Sequence, residues 1–281
     1  MTEVIPLWLV TGLSFITVFS VMTSIGTTIT LRACLDHLRA PSLLIRGLVN
    51  VLLIVPILGI ATTRALNLNL LEQVGVVLIL IAPGAPLALR RALSTGVDVG
   101  FATTLQIVVT ILAVPVLPLW VIVANAILGT HGVADASLVA KQVALAQLLP
   151  LGLGVVVKWV APVKGLWLGM VLGRSGAILL IAAIVSIVVD VLIATHFWPI
   201  AMATITTTAA LSVGYLIGGP TTQARQAIAI AGAMRNVGLA LLIATINDLP
   251  PVVDAIIIIY ALVTILIVTA YLLWLSYATT P

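Results

Sequence analysis

The residues of this chain best suited to chemistry are an Arg-Asn pair and two prolines, all placed inside apolar runs. Arg235-Asn236 follows Gly232-Ala233-Met234 in a run that begins near residue 226, and Pro83-Gly84-Ala85-Pro86 interrupts another between residues 73 and 89. Two prolines three apart remove two backbone donors and clash with preceding carbonyls, so the first run is expected to unwind near its middle. A kink in an otherwise packed helix is the plainer alternative. Unwound backbone in apolar surroundings survives only where protein or a water-filled cavity encloses it. A guanidinium inside an apolar run can present paired N–H donors to a carboxylate, so binding of an anion is one chemistry open to Arg235. Bond-breaking chemistry lacks its parts. Cys34 is the single cysteine, and His37, His131 and His196 are scattered without metal-ligand spacing, so neither metal nor cofactor is expected. No nucleophile and base, and no carboxylate pair, falls near the middle of an apolar run, which argues against an enzyme.

These residues must be positioned by membrane helices. Of the 281 residues 62% are apolar and 7% charged, with a mean hydropathy of +1.34. A water-soluble surface cannot be built from that composition, which excludes a cytoplasmic enzyme, a nucleic-acid binder and a disordered chain. The fold class is an all-α polytopic membrane protein whose partner is the lipid bilayer. Candidate spans lie near residues 5 to 30, 47 to 66, 73 to 89, 97 to 128, 136 to 160, 169 to 194, 197 to 218, 226 to 246 and 251 to 277, nine in all. The first carries no signal-peptide pattern and reads as a retained helix. The whole chain, 1–281, reads as one integral membrane domain.

The basic residues divide by side. Arg32, Arg39, Arg46, Arg90, Arg91, Lys158, Lys164, Arg174 and Arg225 fall on one face, and Arg64 and Lys141 on the other. This places the N-terminus outside and the C-terminus in the cytoplasm of a cell inner (plasma) membrane. Arg235 belongs to neither face. Lys141 and Asp190, each about five residues inside a span end, are read as reaching the headgroups, and Asn50, Gln106 and Asn125 as interhelical hydrogen bonds more readily than ligand contacts. Gly214 with Gly218, and Gly169 with Gly173, mark close helix packing.

Spacing suggests an internal repeat: the spans near 47, 73 and 97 recur about 150 to 155 residues on, near 197, 226 and 251. An odd number of spans separates each pair, so the copies run in opposite directions, as in secondary transporters whose sites lie at interrupted helices in corresponding positions. The halves are a truncated repeat at about 1–128 and a second at about 136–281.

Ile81-Ala82-Pro83-Gly84-Ala85-Pro86 with Gly96-Val97-Asp98-Val99, Gln226-Ala227-Ile228 through Gly232-Ala233-Met234-Arg235-Asn236-Val237-Gly238-Leu239-Ala240, and Gly26-Thr27-Thr28-Ile29-Thr30-Leu31 together resemble the bile acid:sodium symporter family. The resemblance covers roughly Ser20 to Trp274 and is to a bacterial, nine-helix variant lacking the family's first helix. It implies a core domain with two broken helices crossing at the midplane, a panel domain, and transport of a small or amphipathic organic anion by alternating access. Positions that carry a Glu, a Gln and a Ser-Asn pair in sodium-coupled members are here Ala231, Arg235, Ala88 and Leu89. The usual sodium sites are therefore expected to be absent, although Thr103, Thr104 and Thr110 still offer hydroxyls. The half-helix after Pro86 is expected to reach about Gly96, with Arg90 and Arg91 either anchoring at the interface or facing the cavity. The candidate substrate-binding residues are Arg235, Asn236, Pro83, Gly84, Pro86, Gly232, Met234, Thr110 and Asn50, with no catalytic or metal residue. Arg235 is expected to be functional, as a permanent charge where a cation would otherwise sit; the alternative is a structural arginine satisfied by helix-end carbonyls. Arg235→Gln is expected to lose anion binding while folding nearly normally, with Arg235→Lys rescuing in part. A carrier coupled to protons or uncoupled, an exporter included, a sodium-coupled symporter with rebuilt cation sites, and a non-transporting receptor or scaffold are the rival functions.

Overall fold

The computed structural model describes residues 7–29, 35–38, 41–66, 68–129, 134–194 and 197–279, apart from the side chains of 7–11, 86, 87, 90, 183, 186–194 and 276–279. Cys34, His131, His196, Arg32, Arg39 and Glu3, and the side chains of Pro86, Arg90, Asp190 and Tyr277, lie outside what is described. Eleven helices are present among the described residues: α1 Leu7–Thr28, α2 Ser42–Ala65, α3 Leu70–Ile81, α4 Pro86–Leu93, α5 Val99–Leu128, α6 Ala136–Val160, α7 Pro162–Ala194, α8 Phe197–Ile217, α9 Thr222–Ala233, α10 Val237–Ile246 and α11 Pro251–Thr279. Seven stretches are long and apolar enough to cross a membrane. Two of the nine expected spans are present as shorter apolar helices, Gly12–Thr28 and Leu70–Ile81.

Several helices begin earlier than hydropathy alone suggests. α2 starts at Ser42, α7 at Pro162 and α9 at Thr222, so Arg46, Lys164 and Arg225 are helical. Charge ends an apolar window but not a helix. The expected loop from Trp159 to Lys164 shrinks to Ala161, because Pro162 is suited to the first position of α7, where no backbone N–H is needed.

α2 and α6 each contain one wide π turn, Asn50–Ile54 and Ala144–Leu148, shortly before Pro56 and Pro150. In α2 the Val55 N–H bonds to the Asn50 carbonyl, and Pro56 has no N–H to offer. The carbonyls of Val51 and Leu52 thus lose their ordinary helical donors. The indole Nε1 of Trp120 donates to the Leu52 oxygen at 2.8 Å; Val51 is met by a residue of the site below.

α1, α6 and α7 pack on one another, and their glycines are the reason. A Cβ on Gly26 would strike the Leu151 carbonyl and Gly154, one on Gly154 would strike the Thr23 carbonyl, and one on Gly169 would strike the Thr27 hydroxyl. The remaining helices form a second group around the most buried elements, α3, α9 and α10. The groups meet along α1 with α10, α5 with α6, and α7 with α11. Gly214 of α8 and Gly218 just past its end lie against Ala229 and Arg225 of α9, the close packing expected of them.

Candidate substrate site

Two helical segments are broken, and their breaks touch. Pro83 forces Ala82 into extended backbone (φ −86°, ψ 94°), and Gly84 takes φ +78°, a left-handed value that suits glycine. No proline breaks the second segment. There Met234 is extended, and Asn236 caps α10 by accepting the Leu239 N–H at 3.1 Å. The Asn236 N–H crosses to the Ala82 carbonyl at 3.0 Å, its amide nitrogen lies 3.5 Å from the Gly84 carbonyl, and the Gln106 amide donates to that same carbonyl at 2.8 Å. Backbone groups that the breaks release are thus answered by the opposite segment, as an interior without water requires. α3 touches α10 and α4 touches α9, so the two broken segments run antiparallel.

Arg235 lies in the second break and is 4% exposed. Its Nη1 donates to the Val51 carbonyl at 3.0 Å, one of the two that the π turn releases, and its Nη2 donates to the carbonyl of Leu80, in the last turn of α3. Its Nε has no partner. The guanidinium therefore fastens α2 and α3 to the second break while keeping an N–H uncommitted. α4 and α10 both begin at the breaks, so the positive ends of two helix dipoles add to that charge.

Met234, Arg235 and Asn236 line a cleft between the two helix groups. α1 contributes Thr17 and Val18, α7 contributes Gly173 and Leu180, and α11 contributes Tyr260 and Thr264. The walls are largely apolar. Three polar atoms at these lining residues have no partner: Arg235 Nε, Thr17 Oγ1 and Tyr260 Oη. Such a cleft suits a ligand with an apolar body and a polar or anionic head.

The other expected site residues divide. Gly84 lines a second, smaller cavity. Ala88, Leu89 and Ala231 line it too, so three of the four positions that depart from the sodium-coupled pattern come together in space, while the fourth, Arg235, lines the larger cleft. Gln106 supplies the polar side chain there, with its nitrogen held by Gly84. Asn50 is fully buried; its nitrogen bonds the Ile228 carbonyl at 3.1 Å, and Gly232 packs on its amide. The Thr110 hydroxyl donates to the Gln106 carbonyl of its own helix. Pro83 shapes the first break, and Asn50, Gly232, Thr110 and Pro83 do not line the larger cleft. Asn50 makes the interhelical bond expected of it, Gln106 reaches the first break, and Asn125 donates to the Ala134 carbonyl at 3.1 Å in the loop before α6. Arg91 and Lys141 are exposed. The sequence reading missed Thr17 and Tyr260. A threonine and a tyrosine within apolar spans are too common to single out without the facing helix.

Comparison with known proteins gives one result. The model of the Sodium Bile acid symporter family matches residues 15–196, from within α1 to just before α8. No curated protein matches the chain.

Proposed function

The chain belongs to the sodium bile acid symporter family, a family of secondary transporters rather than enzymes, and from that membership we propose that it carries a small or amphipathic organic anion across the cell's inner membrane without needing sodium. The observation that carries this reading is the largely apolar cleft at the broken helix, lined by Arg235, Thr17 and Tyr260, whose Nε, Oγ1 and Oη have no partner. The head of the anion meets the guanidinium and its body lies against α1, α7 and α11. Arg235, Asn236 and Met234 contact it; Pro83, Gly84, Pro86, Gly232, Asn50 and Thr110 hold the breaks in shape. The group α1, α6 and α7 acts as the panel and the other helices as the core, moving against each other for alternating access. The repeats at 1–128 and 136–281 supply the two broken helices.

Sodium independence follows from Ala231, Ala88 and Leu89 lining the smaller cavity with no carboxylate among its described residues. Sodium needs several oxygen ligands. A thermal-shift screen of the purified protein against organic acids, taurocholate included, tests both statements, because a ligand that binds the native state raises its apparent stability. The stabilisation is expected to be the same in sodium and choline buffers of equal ionic strength. A saturable sodium requirement would mean rebuilt cation sites, and binding without flux in vesicles would mean a receptor.

The orientation proposed is N-terminus outside and C-terminus cytoplasmic. Lys158 donates to the Ile29 carbonyl just past α1, and Arg46 at the start of α2 donates to the last carbonyl of α8, so these ends share one face. Arg64 donates to the Ile127 carbonyl, joining the ends of α2 and α5 on the opposite face. Reporter fusions are expected to find Glu3 outside and Tyr277 inside; both on one side would overturn the topology.

A further inference from the structure

Asp254 is an ionisable group that the substrate reading does not use. It is the fourth residue of α11, 9% exposed, and its Oδ1 meets no donor. No described Lys or Arg forms an ion pair with it. Residues 254, 261 and 265 are seven and eleven apart, which at 3.6 residues per turn places them on one stripe of α11. Ala261 and Ile265 on that stripe line the cleft. Asp254 thus stands above the cleft, about 10 Å along the helix from Ala261, toward the end where α11 begins.

The elements packed against α11 bring it no cation. They are α3, α7, α8, α9 and α10. α10 has no charged residue. α3 brings Glu72 to the same end, since Gly75 packs on Ile256, and the Glu72 carboxylate accepts the Asn69 N–H at 3.0 Å. Tyr215 of α8 and Arg225 of α9 stand together toward the far end, and Lys164 and Arg174 of α7 lie in its first half, also toward that end; the side chain of Asp190 is outside the described residues. Arg235 is committed to Val51 and Leu80. Two buried carboxyls therefore share this end without a cation between them. The positive end of α11, in whose first turn Asp254 stands, offsets part of the cost of the buried carboxylate, but no described cation neutralises it, and membrane proteins use such groups as proton carriers.

We propose that Asp254 is a proton-binding site loaded from the outer face, and that its occupancy is coupled to the cleft through α11. The proposal rests on the transport reading above. The step is simple: Oδ1 takes one proton to give a neutral carboxylic acid and returns it when the carrier faces inward. One proton moving with one monovalent organic anion makes the cycle electroneutral.

Two measurements on the full chain test it. Infrared difference spectra of the parent and Asp254→Asn at neutral pH are expected to show a protonated-carboxyl C=O band in the parent that the Asn variant lacks. In vesicles, accumulation of taurocholate, whose sulfonate stays ionised, is expected to fall about tenfold in Asp254→Asn under an acid-outside gradient, while taurocholate counterflow stays within about twofold of the parent. The Asn variant is close in shape and removes an unpaired charge, so folding is preserved. An identical band in parent and variant would overturn the proton site. Accumulation by the parent that ignores the pH gradient would overturn the coupling and leave the transport reading standing. A parent without taurocholate counterflow would count against transport itself, while the infrared band still decides the proton site.

Discussion

Arg235→Gln is expected to abolish the stabilisation of the protein by organic anions. The guanidinium has its Nε unpartnered at the cleft, reinforced by the positive ends of α4 and α10. A neutral amide keeps one donor pair but no charge. The same substitution also weakens the fold, contrary to what the sequence alone suggests, because the carbonyls of Val51 and Leu80 both lean on this side chain. Each buried carbonyl left unmet costs ~1–3 kcal/mol, partly offset by no longer burying a charge. Arg235→Lys, a point charge able to meet one carbonyl, should lie between the two in both stability and binding. A control separates the roles. Trp120→Phe unpairs the neighbouring Leu52 carbonyl, at a cost of about 1–3 kcal/mol, yet leaves the guanidinium alone. Its melting temperature should fall while its taurocholate-induced shift survives. If Arg235→Gln loses stability yet binds taurocholate like the parent, Arg235 is purely a fastener.

Two glycines of α6, two residues apart, should respond to alanine in opposite directions. A Cβ on Gly154 would lie 2.8 Å from the Gly26 Cα and 3.0 Å from the Thr27 nitrogen, besides striking the Thr23 carbonyl. These are backbone atoms, so α1 and α6 would have to separate. Overpacking of this kind costs about 1–3 kcal/mol and here more, since no side chain can rotate away. A Cβ on Gly152 meets nothing within 4 Å, and there alanine should stabilise the helix by ~0.5–1 kcal/mol. Thermal midpoints in detergent check both. Equal tolerance at the two positions would show that α1 and α6 are not in backbone contact.

What could be read in the sequence divides along physical lines. The count of apolar runs, the break at Pro83 to Pro86 and the polar contacts of Asn50, Gln106 and Asn125 follow from residue type and the demand that membrane-embedded groups be satisfied. Helix starts were misplaced at Ser42, Pro162 and Thr222 because hydropathy stops at the first charge. The second break has no local cause strong enough to see. Asn236 makes it by capping α10 and by sending its N–H to Ala82, a partner 154 positions away in sequence. The carbonyls that hold Arg235 were equally invisible, since they arise from a π turn before Pro56 and from the end of α3. Thr17, Tyr260 and Asp254 gain meaning only when the facing helices show what leaves them unpartnered.

Arg46, Arg64, Lys158 and Arg225 all donate to backbone carbonyls at or beyond helix ends, Arg225 to Gly219 at 2.7 Å. Cations of this kind also steer which way a chain threads during insertion. Here the biosynthetic address and the mortar are the same side chains. Charge swaps meant to reorient the protein in the bilayer would unfasten helix ends as well, and a chain so edited would be lost to quality control before its new orientation could be scored. Evolution toward a dual-topology relative would have to move the clamps first and the address second.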